Sequence, residues 1–456
     1  MAEAALSATE SALENQRIGA LQIRVVAICA LIQICDGYDV GSIGWAVPSL
    51  THAWNLPPSA FSLAFLWSNL GVMVGALSSG PIGDRFGRKP LLLASMAIFG
   101  LASLLSAFTG SLGMLAALRF FTGLGIAGAF SGTTALTGDY TPQRLRATMI
   151  MVTFTGAPIG GFLGGQIVAV LLRHYPWPVI FILGGAFPIL LLLVIALWLP
   201  ESPRFLVART NLTPRHRALL ARLGIAPGQA TPHGVDIAHE NPVKMLFGKG
   251  YALQTALLWV IFFCSLVNLY LFVFWLPEVL HLTGMTPPEA VFATSLHALG
   301  GIIAVLYLGF LIDRVGPERS LALHYAVGAV FIALIALVAM PYVMLLAVIF
   351  LSGVTSIGSQ TGANATCGAL YPARMRTSGI GWALGIGRLG GIAAAPLGGF
   401  LLTRGLPPKQ IFLSACFFAI IAAVATALLV LRGTRVAPQL DLAEPASPGS
   451  DPSAWG

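Results

Sequence analysis

The sequence predicts an all-α membrane protein whose twelve transmembrane helices form two pseudo-symmetric six-helix bundles. Three observations predict it: too few charges to clothe a soluble surface, twelve apolar runs of spanning length, and motifs repeated at a constant offset. Of 456 residues, 57% are hydrophobic and only 9% are Asp, Glu, Lys or Arg, whereas soluble domains carry about 25% charged residues. A mean hydropathy of +0.85 makes lipid, not water, the solvent for most of the chain. The same composition excludes a disordered chain and a nucleic-acid binder, although the formal net charge is +8.

A bilayer core of about 30 Å needs about 20 apolar residues per helix. Breaks at charged and Pro/Gly-rich positions give spans near 22–50, 60–80, 90–109, 112–138, 149–172, 178–199, 251–281, 290–312, 321–340, 342–370, 376–403 and 410–432. Glu3, Glu10 and Glu14 precede the first run where a cleaved leader would carry basic residues, so this span is expected in the mature protein. The expected organisation is a tail at 1–21, one bundle at 22–199, a polar linker at 200–250, a second bundle at 251–432 and a disordered tail at 433–456. Placing both tails and the linker in the cytoplasm puts 20 of the 25 basic residues on that side. Only Arg173, Arg404 and Lys409 then face outward, while Arg119 and Arg388 lie inside spans. That split is the positive-inside rule, and it accounts for the net charge without an anionic polymer partner. Cys29, Cys35, Cys264, Cys367 and Cys416 all lie in apolar stretches with no CxxC pair, which suggests neither disulfides nor zinc.

The halves repeat each other. Gly80-Pro-Ile-Gly-Asp84-Arg85-Phe-Gly87 follows span two, and Gly309-Phe-Leu-Ile-Asp313-Arg314-Val-Gly316 follows span eight, 229 residues later. Pro142-Gln-Arg144-Leu-Arg146 is matched by Pro372-Ala-Arg374-Met-Arg376, and Ala157-Pro-Ile-Gly-Gly-Phe162 by Ala395-Pro-Leu-Gly-Gly-Phe400. Duplicated six-helix units underlie transporters whose halves rock about a central site.

Charges retained within a bilayer cost about 3 kcal/mol each on insertion scales and mark function by default. Asp36 and Asp39 lie mid-span, three residues apart on one helical face. Two carboxylates in a dry cavity cannot both ionise cheaply, so at least one is expected to bind a proton; the alternative is an acid that locks the first span to a neighbour. Arg388 lies 12 residues beyond Arg376, about 18 Å deeper at 1.5 Å per residue. Its guanidinium suits bidentate capture of a carboxylate, or else an ion pair with Asp36 or Asp39. Tyr38, Trp45, Asn69, Gln360, Asn364 and Trp382 are the candidates to line the same site. Gln360 and Asn364 share a face of span ten, where their amides suit a carboxylate or a ring hydroxyl, or a bridge between helices.

Gly83-Asp84-Arg85-Phe86-Gly87-Arg88-Lys89, Arg119-Phe-Phe-Thr-Gly123-Leu-Gly125 and Pro200-Glu201-Ser202-Pro203-Arg204 resemble the signatures of the major facilitator superfamily, over about residues 20–432. Asp36-Gly37-Tyr38-Asp39, Tyr371-Pro372-x-Arg374-x-Arg376 and Gly385-Ile-Gly387-Arg388-Leu-Gly390 resemble its aromatic acid:proton symporters, the benzoate and hydroxybenzoate permeases. The resemblance implies a monomer in the bacterial cytoplasmic membrane that imports a small aromatic carboxylate with protons. It links Arg119 to proton transfer alongside Asp36 and Asp39; a purely structural partnership of Arg119 with polar backbone or an acid is the alternative. Asp84, Arg85, Arg88, Asp139, Arg144, Asp313, Arg314 and Arg376 become latches between the halves, closed in the outward-open state and open in the inward-open one; as plain topology determinants they would only hold loops inside. No HExxH, nucleophile elbow or phosphate loop occurs, so no enzyme, cofactor or metal is expected, the proton being the coupling ion. An organic-anion exporter or exchanger on the same fold, or a sensor that binds without transporting, are the rival readings.

Overall fold

The computed structural model describes residues 18–207, 209, 212–223, 246–248, 251–371 and 373–431. The tails and most of the linker thus lie outside the described residues, as do the side chains of Asp313, Arg374 and Arg376. Fifteen α-helices are described. The first half holds α1 (Ala20–Trp54), α2 (Ser62–Phe86), α3 (Arg88–Ser106), α4 (Leu112–Tyr140), α5 (Gln143–Phe154), α6 (Gly156–Leu171) and α7 (Pro178–Trp198). Two short helices follow, α8 (Pro203–Val207) and α9 (Pro214–Arg222). The second half holds α10 (Ala252–Leu282), α11 (Pro287–Val315), α12 (Pro317–Leu337), α13 (Tyr342–Leu370), α14 (Ala373–Thr403) and α15 (Ile411–Leu431). Twelve spans are long and apolar enough to cross a membrane, so the chain is a multi-pass membrane protein.

The fifth span is two helices rather than one. Pro158 has no amide to offer the carbonyl of Phe154, and the chain breaks there, between α5 and α6. The helices α1, α2 and α11 overrun their apolar runs by several residues, because polar ends emerge from the lipid without ending the helix.

Packing follows the repeat. In the first half α2 packs on α4, α1 on α6, α3 on α7 and α3 on α4; the second half repeats this as α11 on α13, α10 on α14, α12 on α15 and α12 on α13. Small residues set the closest approaches. A Cβ on Gly71 would lie 2.0 Å from the carbonyl oxygen of Phe120, and one on its counterpart Gly300 would lie 2.2 Å from that of Phe350. Such backbone contact is the main source of helix affinity where lipid removes the hydrophobic drive. The large exposed side chains are apolar, as on α7 (Leu190, Leu193, Leu197) and α15 (Phe417, Val424, Leu431), and form the lipid-facing belt.

The halves meet through α1 with α10, α2 with α14, and α6 with α11. Their close contacts fall from mid-span to the end far from the linker: Gly44 against Val273, Phe65 on Phe274, Gly165 against Ser295, Gly399 against Ser62. Toward the linker end Gly80, Gly309, Gly381 and Gly385, on the helices that meet across the halves, have nothing within 4 Å of an added Cβ. The structure is closed at the far end and parted at the linker end.

Candidate transport site

Arg119 of α4 is fully buried, and its Nη1 donates to Asp39 Oδ1 of α1 at 3.0 Å. Nη1 also reaches Ser42 Oγ at 3.4 Å, and Nη2 donates to Ser106 Oγ of α3 at 3.0 Å. The guanidinium carbon lies 4.9 Å from the ring centroid of Phe181 on α7, a favourable face for a cation. One buried ion pair therefore ties four helices of the first half together. Asp39 and Arg119 are brought together as one unit, and Asp39 is not the partner of Arg388.

Asp36 stands one turn away on α1, half-buried. The ion pairs found among the described residues, Arg88–Asp84, Arg119–Asp39 and Arg204–Asp139, do not include it. Both the Asp39 carboxylate and the Arg388 guanidinium lie within its electrostatic reach. Asp36 is thus the acid of the pair without a cation in contact.

Arg388, half-buried on α14, donates from Nη1 to Tyr270 Oη of α10 at 3.3 Å. The Tyr270 ring leans on Phe274 at 5.1 Å, and Phe274 stacks on Phe65 of α2 at 4.3 Å. A Cβ on Gly391 would come within 2.7 Å of the Tyr270 ring and 3.3 Å of Asn69 Oδ1, so the glycine lets α2, α10 and α14 converge. Asn69 spends its Nδ2 on the carbonyl of Phe65 at 3.2 Å. A guanidinium, a phenol, an amide and an aromatic shelf thereby gather where the two halves meet. Gly385 and Gly381, three and seven residues before Arg388 on the same face, leave open space beside it. The arrangement can grip a carboxylate and stack a ring.

Three expected lining residues sit elsewhere. Tyr38 donates its hydroxyl to the carbonyl of Ile180 at 2.7 Å and packs its ring against Gly164 and Gly184, so it is structural within the first half. Trp45 is 2% exposed, edge-on to Tyr38 at 5.3 Å and wedged over Gly41. Trp382 is 43% exposed on the stripe of α14 that also carries Leu389 and Phe400, and it stacks on Trp259; this face meets lipid. Gln360 and Asn364 are half-buried on α13, with Gln360 Oε1 and Asn364 Oδ1 unpartnered among the described residues. Glu278 of α10 is a buried carboxylate that the sequence reading passed over, with Oε2 unpartnered. A lone acid inside the apolar run of span seven was its signal.

At the linker end the charged motifs are joined within the first half. Glu201 Oε1 accepts from the amides of Arg88 at 2.8 Å, Lys89 at 3.2 Å and Ser202 at 2.8 Å, capping α3. Gly87, at φ +107°, makes the turn that permits this; a Cβ there would lie 2.4 Å from Glu201 Oε2. Asp139 accepts from Ser202 Oγ at 2.6 Å and pairs with Arg204 at 3.5 Å, while Arg146 lies over the end of α4 at Gly138. Asp84 pairs with Arg88 on its own side, and the carbonyl of Arg85 accepts from Arg209. Arg144 is exposed, and Arg314 covers Phe310 of its own helix at 4.0 Å. Asp313 and Arg376 belong to this set by sequence, with side chains outside the described residues. Glu201, not among the expected latch residues, is the acceptor that joins these motifs. Just inside the same end, Tyr371 donates to Thr255 Oγ1 at 3.0 Å; burial pushes its phenol up to about 12, so it stays a donor.

Twelve spans among the described residues and a duplicated packing scheme, with Arg388 set where the halves meet, define a membrane carrier built from two like halves. The chain belongs to the Major Facilitator Superfamily, whose family model matches residues 29–283 and 258–455; it is a transporter, not an enzyme. It is 35% identical to a gallate transporter of Pseudomonas putida over 92% of this chain and 95% of that protein. It is 33% identical to the 4-hydroxybenzoate transporter PcaK of Pseudomonas aeruginosa, over 92% of this chain and 94% of that one. The fold superposes on the inward-open structure of the xylose transporter XylE from E. coli with a TM-score of 0.68 at 16% identity, covering 90% of this chain and 95% of that one.

Proposed function

We propose that the protein is a proton-coupled symporter that imports a small aromatic carboxylate across the bacterial cytoplasmic membrane, its tails and linker on the cytoplasmic side. The carrying observation is the Arg388–Tyr270–Asn69 cluster between the halves, with Asp36 within electrostatic reach of the guanidinium. Arg388 holds the carboxylate bidentately, and Tyr270, half-buried and packed on the buried Phe65–Phe274 pair, receives the ring. Gln360 and Asn364 offer acceptors to ring hydroxyls. Asp36 takes the proton, because Asp39 is already committed to Arg119. The exchange is electrostatic: a neutral Asp36 leaves Arg388 to the substrate, and an ionised Asp36 competes for it once the substrate has left. The hydroxybenzoate and gallate relatives support the substrate class, and the excess of basic residues at the linker end supports the orientation. The parted linker end makes this the inward-facing arrangement, with the latches apart.

The test is uptake in proteoliposomes. An inward proton gradient should drive accumulation of labelled 4-hydroxybenzoate, gallate or benzoate above the outside concentration, and collapsing the gradient should abolish it. Counterflow indifferent to the gradient makes the protein an exchanger and overturns the symport reading. Saturable binding without any flux makes it a sensor.

A further inference from the structure

The two halves touch at the far end through a pair of imidazoles. His52, near the end of α1, and His281, near the end of α10, are 229 residues apart, the same offset as the repeated Asp84-Arg85 and Asp313-Arg314 motifs. They are therefore equivalent positions of the duplicated unit, facing each other across its pseudo-two-fold axis. Their Nε2 atoms are 3.1 Å apart, with ring planes at 81°. His281 Nδ1 lies 2.7 Å from the carbonyl oxygen of Met285. A carbonyl only accepts, so Nδ1 carries the proton and Nε2 of neutral His281 presents a lone pair into the gap. His52 is exposed and His281 half-buried, so the gap is open to the medium at this end.

Two imidazole nitrogens bound at about 2.0–2.1 Å to one tetrahedral ion stand about 3.3 Å apart. The separation already present is within a few tenths of an ångström of that bite. A ring nitrogen tied to a backbone carbonyl is also the outer-shell support that fixes metal-binding imidazoles in the correct tautomer. Only His52 has to move its proton to Nδ1 for both Nε2 lone pairs to point at one centre. Imidazole selects divalent ions such as zinc, nickel or copper over magnesium or calcium.

We propose that His52 and His281 are a two-imidazole clip for a divalent transition-metal ion that bridges the two halves and holds the far end shut. Among the described residues no group of three or more His, Cys, Asp or Glu is placed to hold a metal, so water completes the coordination and the ion is exchangeable. Glu278, one turn below on α10, is buried, and Glu289 is committed to the amide and hydroxyl of Thr286; neither completes the clip. Because the two rings belong to opposite halves, the ion binds where they are adjacent, in the state closed at this end. It arrests the cycle there rather than serving it.

Binding is testable apart from transport, and only the arrest rests on the transport reading. Purified protein titrated with Cu2+ should bind one ion per chain, with electron paramagnetic resonance showing coupling to two imidazole nitrogens. His52→Gln and His281→Gln should each lower that affinity at least tenfold and remove the two-nitrogen signature. The same spectrum and affinity in both variants overturns the site. In cells, micromolar Zn2+ added outside should slow uptake of the aromatic acid at least fivefold and Mg2+ should not, while both variants transport normally and ignore Zn2+. Cu2+ coordination by both rings without slowed uptake overturns the arrest. Absence of any uptake in metal-free buffer counts against the transport reading and leaves the binding result to stand.

Discussion

Removing both partners of the Asp39–Arg119 pair should destabilise the first half by clearly less than the sum of the two single removals. Arg119 is fully buried and Asp39 is 2% exposed, with the pair at 3.0 Å. In Arg119→Gln the carboxylate keeps only the contact of Ser42 Oγ at 3.4 Å; in Asp39→Asn the guanidinium keeps Ser106 and the Phe181 ring but no anion. Breaking a buried pair from one side costs about 3–5 kcal/mol, because an uncompensated charge remains in a low-dielectric interior. The double variant Asp39→Asn with Arg119→Gln leaves two neutral hydrogen-bonding groups in place of two charges. It should recover about 1–3 kcal/mol relative to the sum of the singles, the coupling expected of residues in direct contact. Reversible unfolding of the purified protein in mixed micelles, titrated with SDS, gives the four free energies of the cycle. Additive losses, with no coupling, would refute the pair as a unit. Retained folding in Asp39→Asn together with lost accumulation would instead show that Asp39 serves coupling directly.

Other outcomes follow from single positions. Arg388→Lys keeps the charge but loses the planar fork, and KM for the aromatic carboxylate should rise about tenfold or more, a loss near 1.4 kcal/mol, with the level of folded protein unchanged. Gly44→Ala places a Cβ 2.5 Å from the carbonyl oxygen of Val273 across the halves; the far end should fail to close, and cysteine-accessibility labelling should show that end persistently open. Gly87→Ala and Gly316→Ala separate backbone from contact. Both sit at positive φ, +107° and +90°, but only at Gly87 does a Cβ meet another group, Glu201. Gly316→Ala, in a backbone region almost only glycine adopts, should therefore cost about 1–3 kcal/mol and Gly87→Ala clearly more, read as loss of folded protein in a thermal melt.

The fold was legible because lipid imposes a simple rule on composition. Each span needs enough apolar residues to cross, and the duplication shows in short motifs whose loops demand the same turn, as at Gly87 and Gly316. Partner choice was less legible. A three-residue spacing places Asp36 and Asp39 on one face of α1, but it does not say that α4 covers Asp39 while Asp36 is left without a cation in contact, within electrostatic reach of Arg388. That depends on helix rotation, set by glycine contacts such as Gly37 against Ala157 and Gly160 against Ile34. Aromatic residues such as Tyr38, Trp45 and Trp382 serve ligand stacking and packing equally well in a sequence, and here Tyr38 and Trp45 pack within the first half while Trp382 stands exposed against Trp259. Tyr270 reaches Arg388, and Asn69 comes close to Tyr270, through the convergence at Gly391, a contact between helices distant in sequence. Glu201 lay within a recognised motif, yet its capping of α3 appears only once the chain end of α7 folds back beside Gly87.

The repeat is also unequal in its chemistry. The positions 229 residues after Asp36 and Asp39 are Ser265 and Asn268, which line a small polar cavity inside the second half with His324 and Tyr325. The Asp36–Asp39 pair thus belongs to one half and Arg388 to the other, while the second half keeps a single buried acid among the described residues, Glu278. This asymmetry suits the division proposed above, with proton binding by the first half and carboxylate binding by the second.

The most direct test of that division follows protons rather than substrate. Proteoliposomes loaded with a pH-sensitive dye and given 4-hydroxybenzoate outside, with no imposed gradient, should acidify internally as the acid enters with its proton. Asp36→Asn should lose the acidification while keeping counterflow exchange of labelled substrate. Substrate entry by the unaltered protein with no internal acidification, or acidification that survives Asp36→Asn, would contradict the account.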